Sequence, residues 1–477
     1  TDENLIISFQ APEDSAVVLP TEAEAIQFLA EVKNQEIEAP VEETIREKLV
    51  ETAPKPGKIK HTQYDEHLGT TEWTLSNGVR VVVKPTTFKQ DEILFQGMSL
   101  GGASQVDTEN LPSSMLASTI VDFSGLADMS MTDLQKALTG KNVSHSASIN
   151  NNTETVSGSS TVKDLETLLQ LNYLAFTAPR RDEEAFQTLM SILQSQLANK
   201  DKNPKAVFSD SIQMMATNNS SRTVLENMTL VERVNLDKAL EIYKARFANP
   251  ADFIFTFVGN VDPQDETFKQ LICTWLGGMK TSKKREQVIN HNVRAPQGIC
   301  KNYFTRNMET KTASNRIQYT SYEMPYTLAN ALNMEVIGRI LSTRYLESIR
   351  EREGGSYGVG CAGMMDILPT PCARLIMQFE KQQKLINIIH EEVNTILENG
   401  PLANDLQKEK ESMIKDFQED LEKNGYWQTA LYMYYLYGIN YITDYQSVVE
   451  NITAESVQKT LKSLVESGNM FEVVMLP

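Results

Sequence analysis

The spacing of apolar and polar positions changes period many times along the 477 residues. "TEWTLSNGVRVVV" sets two β-prone runs either side of Asn77-Gly78, which predicts a hairpin with a tight primed turn. "ILFQGMSLGGAS" reads as a third strand ending at Gly101-Gly102. The period then becomes helical. Met115, Leu116, Thr119 and Ile120 predict a helix over 112–123, and Thr132 with Gln135 is read as the cap of another, "TDLQKAL". Polar alternation over 143–160 suits half-exposed antiparallel strands. Helices are predicted over 162–176, 182–198, 236–248 and 264–276. "FIFTFVGNV" is a central strand between the last two, and 200–222 reads as looser chain.

The same mixture recurs further on. Strands are predicted near 301–307, 314–322, 356–364 and 372–380, with "MFEVVML" as the closing strand. Helices are predicted over 327–350, 382–398, 402–423 and 454–466, together with an aromatic helix, "GYWQTALYMYYLYG". Near the start, "NLIISFQAP" is strand-like. "PTEAEAIQFLAEV" then carries a capping-box pair, Thr21 and Glu24, ahead of an apolar face of Ala25, Ile26, Phe28, Leu29 and Val32. One strand and a helix or two cannot make a domain, so this segment either docks on the later domains or belongs to a domain upstream. Proline- and lysine-rich 52–60 and lysine-rich "KTSKKREQ" at 280–287 mark boundaries. The pattern predicts an α+β plan used twice: an antiparallel sheet with helices packed on one face.

At roughly 150 residues per domain, the length allows about three domains. The formal charge of −18, from 63 acidic against 45 basic residues, argues against nucleic-acid binding, because no basic stripe offsets the long-range repulsion of phosphates. No apolar run approaches the roughly 18 residues of a membrane span. The chain starts at Thr1 with no basic and apolar leader after it, which reads as a processed or cut chain.

Candidate chemistry is sparse. The five histidines are His61, His67, His145, His291 and His390, and neither HExxH nor HxxEH occurs. "HTQYDEH" at 61–67 is the nearest approach to a ligand cluster and is read as a solvated stretch beside a linker. His390, followed by Glu391 and Glu392 on a helix, is read as a hydrogen-bonded surface histidine. "GGSYGVG" at 354–360 lacks the GK[ST] of a phosphate cradle, and no G-x-S-x-G elbow is present. Cys273, Cys300, Cys361 and Cys372 form no CxxC. Cys361 and Cys372 could face each other across a hairpin, although two half-buried thiols is the preferred reading. The stripe Tyr426, Trp427, Tyr432, Tyr434, Tyr435 and Tyr437 is expected to pack on a sheet, with a peptide-facing surface as the sharper alternative.

"ESIREREGGSYGVG" places Arg350 and Tyr357 on either side of a glycine turn. Two readings stand on residue type alone. Arginine suits a helix C-terminus and tyrosine suits a strand. Equally, a guanidinium fork and a phenol can together hold a carbonyl and stabilise an oxyanion in a dry cleft.

"NPADFIFTFVGNVDPQ" (249–264) and "SIREREGGSYGVG" (348–360) resemble the pitrilysin/insulysin-type M16 zinc peptidases. "APEDSAVVLPTEAEA" and "PKPGKI" resemble the junction between halves in long bacterial members, the PqqL-like zinc proteases. The resemblance covers essentially the whole chain. It implies the M16 (LuxS-like metallohydrolase) fold, with four related αβ domains in two halves that close round an unfolded peptide. It also implies a zinc ion on HxxEH in the first domain. Helix 112–123 has neither histidine nor glutamate, which departs from the catalytic pattern and agrees with the C-terminal, non-zinc-binding half.

On this resemblance residues 1–52 are the tail of a preceding domain, 53–69 a linker, 70–280 domain three, 281–299 a linker and 300–477 domain four. Tyr357 would donate to the scissile carbonyl and its oxyanion, and Arg350 would hold the peptide backbone or orient the tyrosine. The Gly354-Gly355 turn and Ser356 would contact substrate. Arg352 has the wrong spacing for that role. No metal ligand is expected in this chain, with zinc in an N-terminal M16 half as partner. The chain alone would be inactive, and the bacterial enzyme periplasmic or otherwise exported, with the cytoplasm as the alternative. The competing reading is a catalytically inactive M16-fold binding or structural subunit.

Overall fold

A computed structural model describes residues 6–9, 18–34, 48–308, 312–353, 359–380 and 385–477, with backbone alone at 350–353. The chain divides into two compact units, Thr1–Arg46 and Glu47–Pro477. In the first, α1 (Glu22–Lys33) starts where its cap predicts. The Thr21 hydroxyl accepts from the Glu24 N–H at 3.3 Å, and the Glu24 carboxylate accepts from the Thr21 N–H at 2.8 Å. Ile26 and Phe28 of its apolar side are exposed. Residues 6–9, expected as part of a strand, form none, since β-prone residues become a strand only beside a ladder partner.

The second unit contains two mixed sheets. The larger has seven strands: β1 (Ile59–Asp65), β2 (Thr70–Leu75), β3 (Arg80–Pro85), β4 (Ile93–Leu100), β5 (Val143–Ile149), β6 (Thr153–Ser160) and β7 (Ile254–Gly259). Their spatial order is β1-β2-β3-β7-β4-β6-β5. The edge strand β1 arises inside the 53–69 stretch, which was expected to be linker. Just before it, Leu49 is buried and its N–H donates to Gln170 Oε1 at 3.0 Å, so the end of the expected 1–52 tail is seated on this domain. The β2–β3 connection is a three-residue loop, not the two-residue primed turn. The Leu75 N–H reaches Val79 O at 2.8 Å, and Gly78 takes φ +85° in the left-handed region, where glycine is unstrained.

Alternation along the strands sends Val81, Val83, Phe95, Phe255 and Phe257 into one core. Five helices close that core: α2 (Leu111–Ser124), α4 (Leu165–Thr177), α5 (Glu183–Leu197), α8 (Leu236–Arg246) and α9 (Glu266–Trp275). Short α3 (Met131–Ala137) is capped two residues earlier than expected. Ser130 and Asp133 form the capping box there, and Thr132 and Gln135 lie inside the helix. The stretch 200–222, expected to be loose, contains α6 (Pro204–Ala216), capped by Asn203. A further short helix, α7 (Met228–Arg233), comes after it.

The smaller sheet has five strands: β8 (Ile299–Thr305), β9 (Ser314–Ser321), β10 (Gly360–Asp366), β11 (Cys372–Glu380) and β12 (Met470–Leu476). Their order is β10-β11-β9-β12-β8. Its core is closed by α10 (Leu328–Glu353), α11 (Leu385–Asn399), α12 (Ala403–Asp420), α14 (Tyr445–Glu450) and α15 (Ala454–Glu466). The α+β plan with two sheets is therefore the architecture. Each sheet carries one parallel neighbour pair, β3–β7 and β8–β12, among antiparallel ones.

The second face of each sheet is covered from the other side of the unit. α13 (Asn424–Tyr437) lays Trp427 and Leu431 on Leu68, Val82 and Val258 of the larger sheet domain. Gln428 Nε2 donates to Thr256 Oγ1 at 3.0 Å, and Thr86 Oγ1 to Asn424 Oδ1 at 2.6 Å. In return α6 places Phe208, Ile212 and Met215 against Phe471, Val473 and Met475 of β12. Most of the aromatic stripe packs: Trp427, Tyr434 and Tyr435 lie on the larger sheet and Tyr426 joins the core of the smaller one, while half-buried Tyr432 and Tyr437 bond to each other at 2.7 Å. The Tyr435 hydroxyl finds Thr70 Oγ1 at 2.9 Å.

Candidate functional site

The segment that holds Arg350 and Tyr357 is flanked by two elements that are locked together, α10 before it and β10 after it. They cross at Gly338 and Gly363, where a Cβ on Gly363 would overlap the Met334 carbonyl and one on Gly338 the Gly363 amide. One turn further along α10, the Ser342 hydroxyl donates to Cys361 O at 2.9 Å and accepts from Cys361 N at 3.1 Å. Both outward backbone groups of Cys361 are thereby satisfied, and the helix covers the strand edge at this point.

The last turns of α10 are also braced against α11. Buried Glu392 accepts from the Ser348 hydroxyl and from Arg344 Nε, the latter at 3.3 Å, while the buried Tyr345 hydroxyl donates to Ile389 O at 3.3 Å. Ile349 before the turn and Val359 after it are both buried in the same core. The chain on both sides of residues 354–358 is thus fixed by packing and by hydrogen bonds to buried groups. Arg350 lies in the final helical turn of α10, with its backbone alone described. Gly354, Gly355, Ser356 and Tyr357 lie outside the described residues. The bracing set of Gly338, Ser342, Tyr345, Ser348 and Glu392 was not picked out from the sequence. Its one legible signal is Gly338, a glycine in the middle of a long helical run.

α2, in the position expected for a metal-binding helix, buries Leu111, Ser113, Ser114, Ala117, Ile120 and Val121 and has no metal-ligating side chain on that face. Among the described residues no group of three or more His, Cys, Asp or Glu side chains is placed to hold a metal ion. His61 and His67 are exposed on and just after β1. His145 sits 3.4 Å from Asn172 Oδ1, and burial pushes its pKa down to about 4 against the opposing effect of that hydrogen bond.

His390, expected to be a hydrogen-bonded surface residue, is half-buried and bonds to distant partners on two other elements. Nδ1 is 2.9 Å from the Tyr319 hydroxyl and Nε2 is 3.0 Å from Glu472 Oε1 on β12. Glu472 is fully buried and also accepts from Tyr303 and Lys301. Burial alone would raise its pKa, but the donors His390, Tyr303 and Lys301 outweigh that and pull it down to about 2.

All four cysteines are free thiols. The conceivable Cys361–Cys372 bridge is ruled out by register, since Cys361 stands opposite Met377 and Cys372 opposite Asp366. Burial raises both thiols well above the ordinary range, Cys372 to about 11. Neither is activated as a nucleophile.

The family described as the peptidase M16 inactive domain matches residues 233–413. Among curated proteins the chain is 26% identical over 405 residues to the zinc protease PQQL-like of Arabidopsis thaliana, covering 81% of this chain and 39% of that protein. It is 22% identical over 421 residues to the probable zinc protease PqqL of Escherichia coli strain K12, covering 85% and 44%. Among solved structures, the periplasmic protease PqqL from Escherichia coli superposes with a TM-score of 0.79 at 19% identity, over 96% of this chain and 51% of that one. The chain spans less than half the length of both curated relatives. Among the described residues no helix is long and apolar enough to cross a membrane.

Proposed function

We propose that this chain, which carries the M16 inactive domain and is homologous to PqqL-like zinc proteases, is the zinc-free half of a zinc metalloendopeptidase. Its partner is an N-terminal M16 half, in the same polypeptide or as a separate subunit, which holds the zinc. The two halves enclose a peptide or unfolded polypeptide. Arg350 and Tyr357 reach the scissile peptide from the zinc-free side, with Gly354, Gly355 and Ser356 passing close to its backbone. Tyr357 donates a hydrogen bond to the carbonyl oxygen as it becomes an oxyanion, and Arg350 holds the peptide or orients the phenol. Residues 70–280 and 300–477 correspond to the third and fourth domains, and residues 1–52 lead in from the second. Export to a bacterial periplasm is assigned by analogy with the periplasmic PqqL.

The observation that carries this reading is the bracing of the turn. A glycine-rich loop with no task does not require a backbone-to-backbone crossing at its exit, a buried carboxylate tying down its entrance, and a serine satisfying both backbone groups of Cys361. Such support is what a donor pair needs if it is to meet a transition state without rearranging.

The test is reconstitution. This chain alone, dialysed against zinc, should retain well under one equivalent by elemental analysis and cleave no peptide. Combined with an N-terminal half bearing HxxEH, it should restore cleavage. Loss of turnover in Tyr357→Phe then supports the assignment. Full turnover in that variant, or a reconstituted assembly that binds peptides and never cuts them, favours the noncatalytic M16-fold subunit.

A further inference from the structure

A cleft of about 700 Å³ lies between the two sheets of the larger unit. Its walls come from residues 103–104, α2, the β5–β6 turn, the end of α6 with the loop after it, the connection at 289–293, and the β10–β11 hairpin.

Three of the walls, the β5–β6 turn, the loop after α6 and the 289–293 connection, are hydrogen-bonded to the 101–108 segment. The carbonyls of Asn150, Asn151 and Asn152 accept from the N–H groups of Ala103, Ser104 and Gly101 at 2.8, 2.8 and 2.9 Å. Gly102, at φ +57°, allows that approach, because a Cβ there would overlap the Asn150 carbonyl. Arg222 spans two segments, donating to Ala103 O at 2.8 Å and Thr108 Oγ1 at 3.2 Å. Thr217 Oγ1 meets Thr223 Oγ1 at 2.6 Å, and Gln213 Nε2 donates to Val224 O at 3.2 Å, tying the loop to α6. The connection between the sheets is held by the Ile289 N–H on Ser104 Oγ at 3.0 Å and by His291 Nε2, 2.8 Å from Ser104 O. The cleft is therefore largely preformed.

Its chemistry selects a class of ligand. One arginine, Arg222, and one acid, Asp366, are the charged residues lining it. A phosphate or polyanion would meet a single cation on a chain of net charge −18. The remaining surface alternates carboxamides and hydroxyls with apolar patches at Met115, Ile149 and Leu368. Carboxamides donate and accept at once, which complements the paired N–H and C=O of an extended peptide, and the apolar patches suit its side chains. Position adds to this. Asp366 ends the strand that begins at Gly360, just beyond the 354–358 turn, and seven strand residues span about 20 Å.

We propose that this cleft binds an extended, uncharged stretch of polypeptide. A chain lying there would be held about six extended residues from the Arg350–Tyr357 turn. The spacing role rests on the proposed function, whereas the binding itself does not.

The experiment uses this chain alone, without a zinc-bearing half. The probe is a dye-labelled twelve-residue peptide of Ser, Asn, Leu and Val. Anisotropy should show saturable binding, and hydrogen exchange should show slowed amides at 149–153 and 213–224 in the complex. Asn151→Trp and, on α2, Met115→Trp should each weaken binding at least tenfold with an unchanged melting curve. Undiminished affinity in both tryptophan variants, or protection confined to other segments, overturns the site. Tighter binding of a tetraphosphorylated peptide of the same length overturns the ligand class. Because Tyr357 is tested by turnover of the reconstituted enzyme and the cleft by binding to this chain, the two readings fail separately.

Discussion

Gly338 of α10 and Gly363 of β10 meet backbone to backbone, leaving no room for a Cβ on either. Because Arg350 rides on the same helix and the chain leaves the turn along the same strand, this crossing sets where the turn can be. Gly363→Ala is therefore expected to destabilise the folded chain by about 1–3 kcal/mol, the usual range for forcing extra atoms into a filled contact. Urea unfolding measures this as a lowered midpoint with an unchanged slope. In the reconstituted enzyme the same substitution should reduce turnover, although the residue touches no substrate. A variant as stable as the parent would show that the helix and strand separate freely.

Glu472 contributes to stability through its ionised form. Its folded pKa of about 2 lies below the roughly 4.3 of an unfolded glutamate. Its contribution is thus fully present above pH 4.3 or so and is lost as pH falls toward about 2. Glu472→Gln keeps the shape and removes the charge that His390, Tyr303 and Lys301 donate to. A loss of about 1.5–3 kcal/mol is expected at pH 7. The gap between parent and variant, followed by urea titration, should narrow steadily below about pH 4. A gap that stays constant down to pH 2.5 would mean the carboxylate is not held by these donors.

For the candidate catalytic pair, Tyr357→Phe should lower kcat of the reconstituted enzyme by about ten- to a thousand-fold with little change in KM, as expected for a donor used in the transition state. Arg350→Lys keeps the charge and removes the planar fork, so a clear loss is expected there too. Steady-state kinetics on one peptide separates the outcomes. A rise in KM with kcat intact would assign either residue to ground-state binding only.

Phe208 on α6 and Leu431 on α13 test the mutual covering of the sheets. Phe208→Ala should cost about 3–5 kcal/mol and Leu431→Ala about 2–5 kcal/mol, since each leaves a cavity against a strand of the opposite domain. Calorimetry of either variant should still give one transition. Two separated transitions would show that the sheets unfold independently.

Periodicity made most elements legible within a few residues, because amphipathic segments that face a local core declare their period. What the sequence hid depended on distant partners. α6 escaped notice although Asn203 and Pro204 are ordinary start signals, since Phe208, Ile212 and Met215 face a sheet built from residues after 298. β1 escaped because its side chains are mostly exposed and it is a strand only by virtue of pairing with β2. His390 looked superficial because its acid, Glu472, lies 82 positions away. At the candidate site the sequence offers Arg350 and Tyr357 as a pair on residue type and resemblance alone, while the bracing at Gly338, Ser342, Ser348 and Glu392 requires three-dimensional contacts. The cleft at Asn150–Asn152 was illegible for the same reason. Its walls come from six separated segments, none unusual alone.

The exchange of covering helices bears on how such a chain can be divided. The lysine-rich segment at 280–287 invites a cut, yet severing the chain there and parting the pieces would strip Val82 and Val258 on one side and Phe471, Val473 and Met475 on the other. Each fragment would carry an oily slab in water, a ready template for aggregation. Recombination between related genes at that joint should accordingly yield insoluble hybrids unless α6 and α13 travel with the strands they shelter.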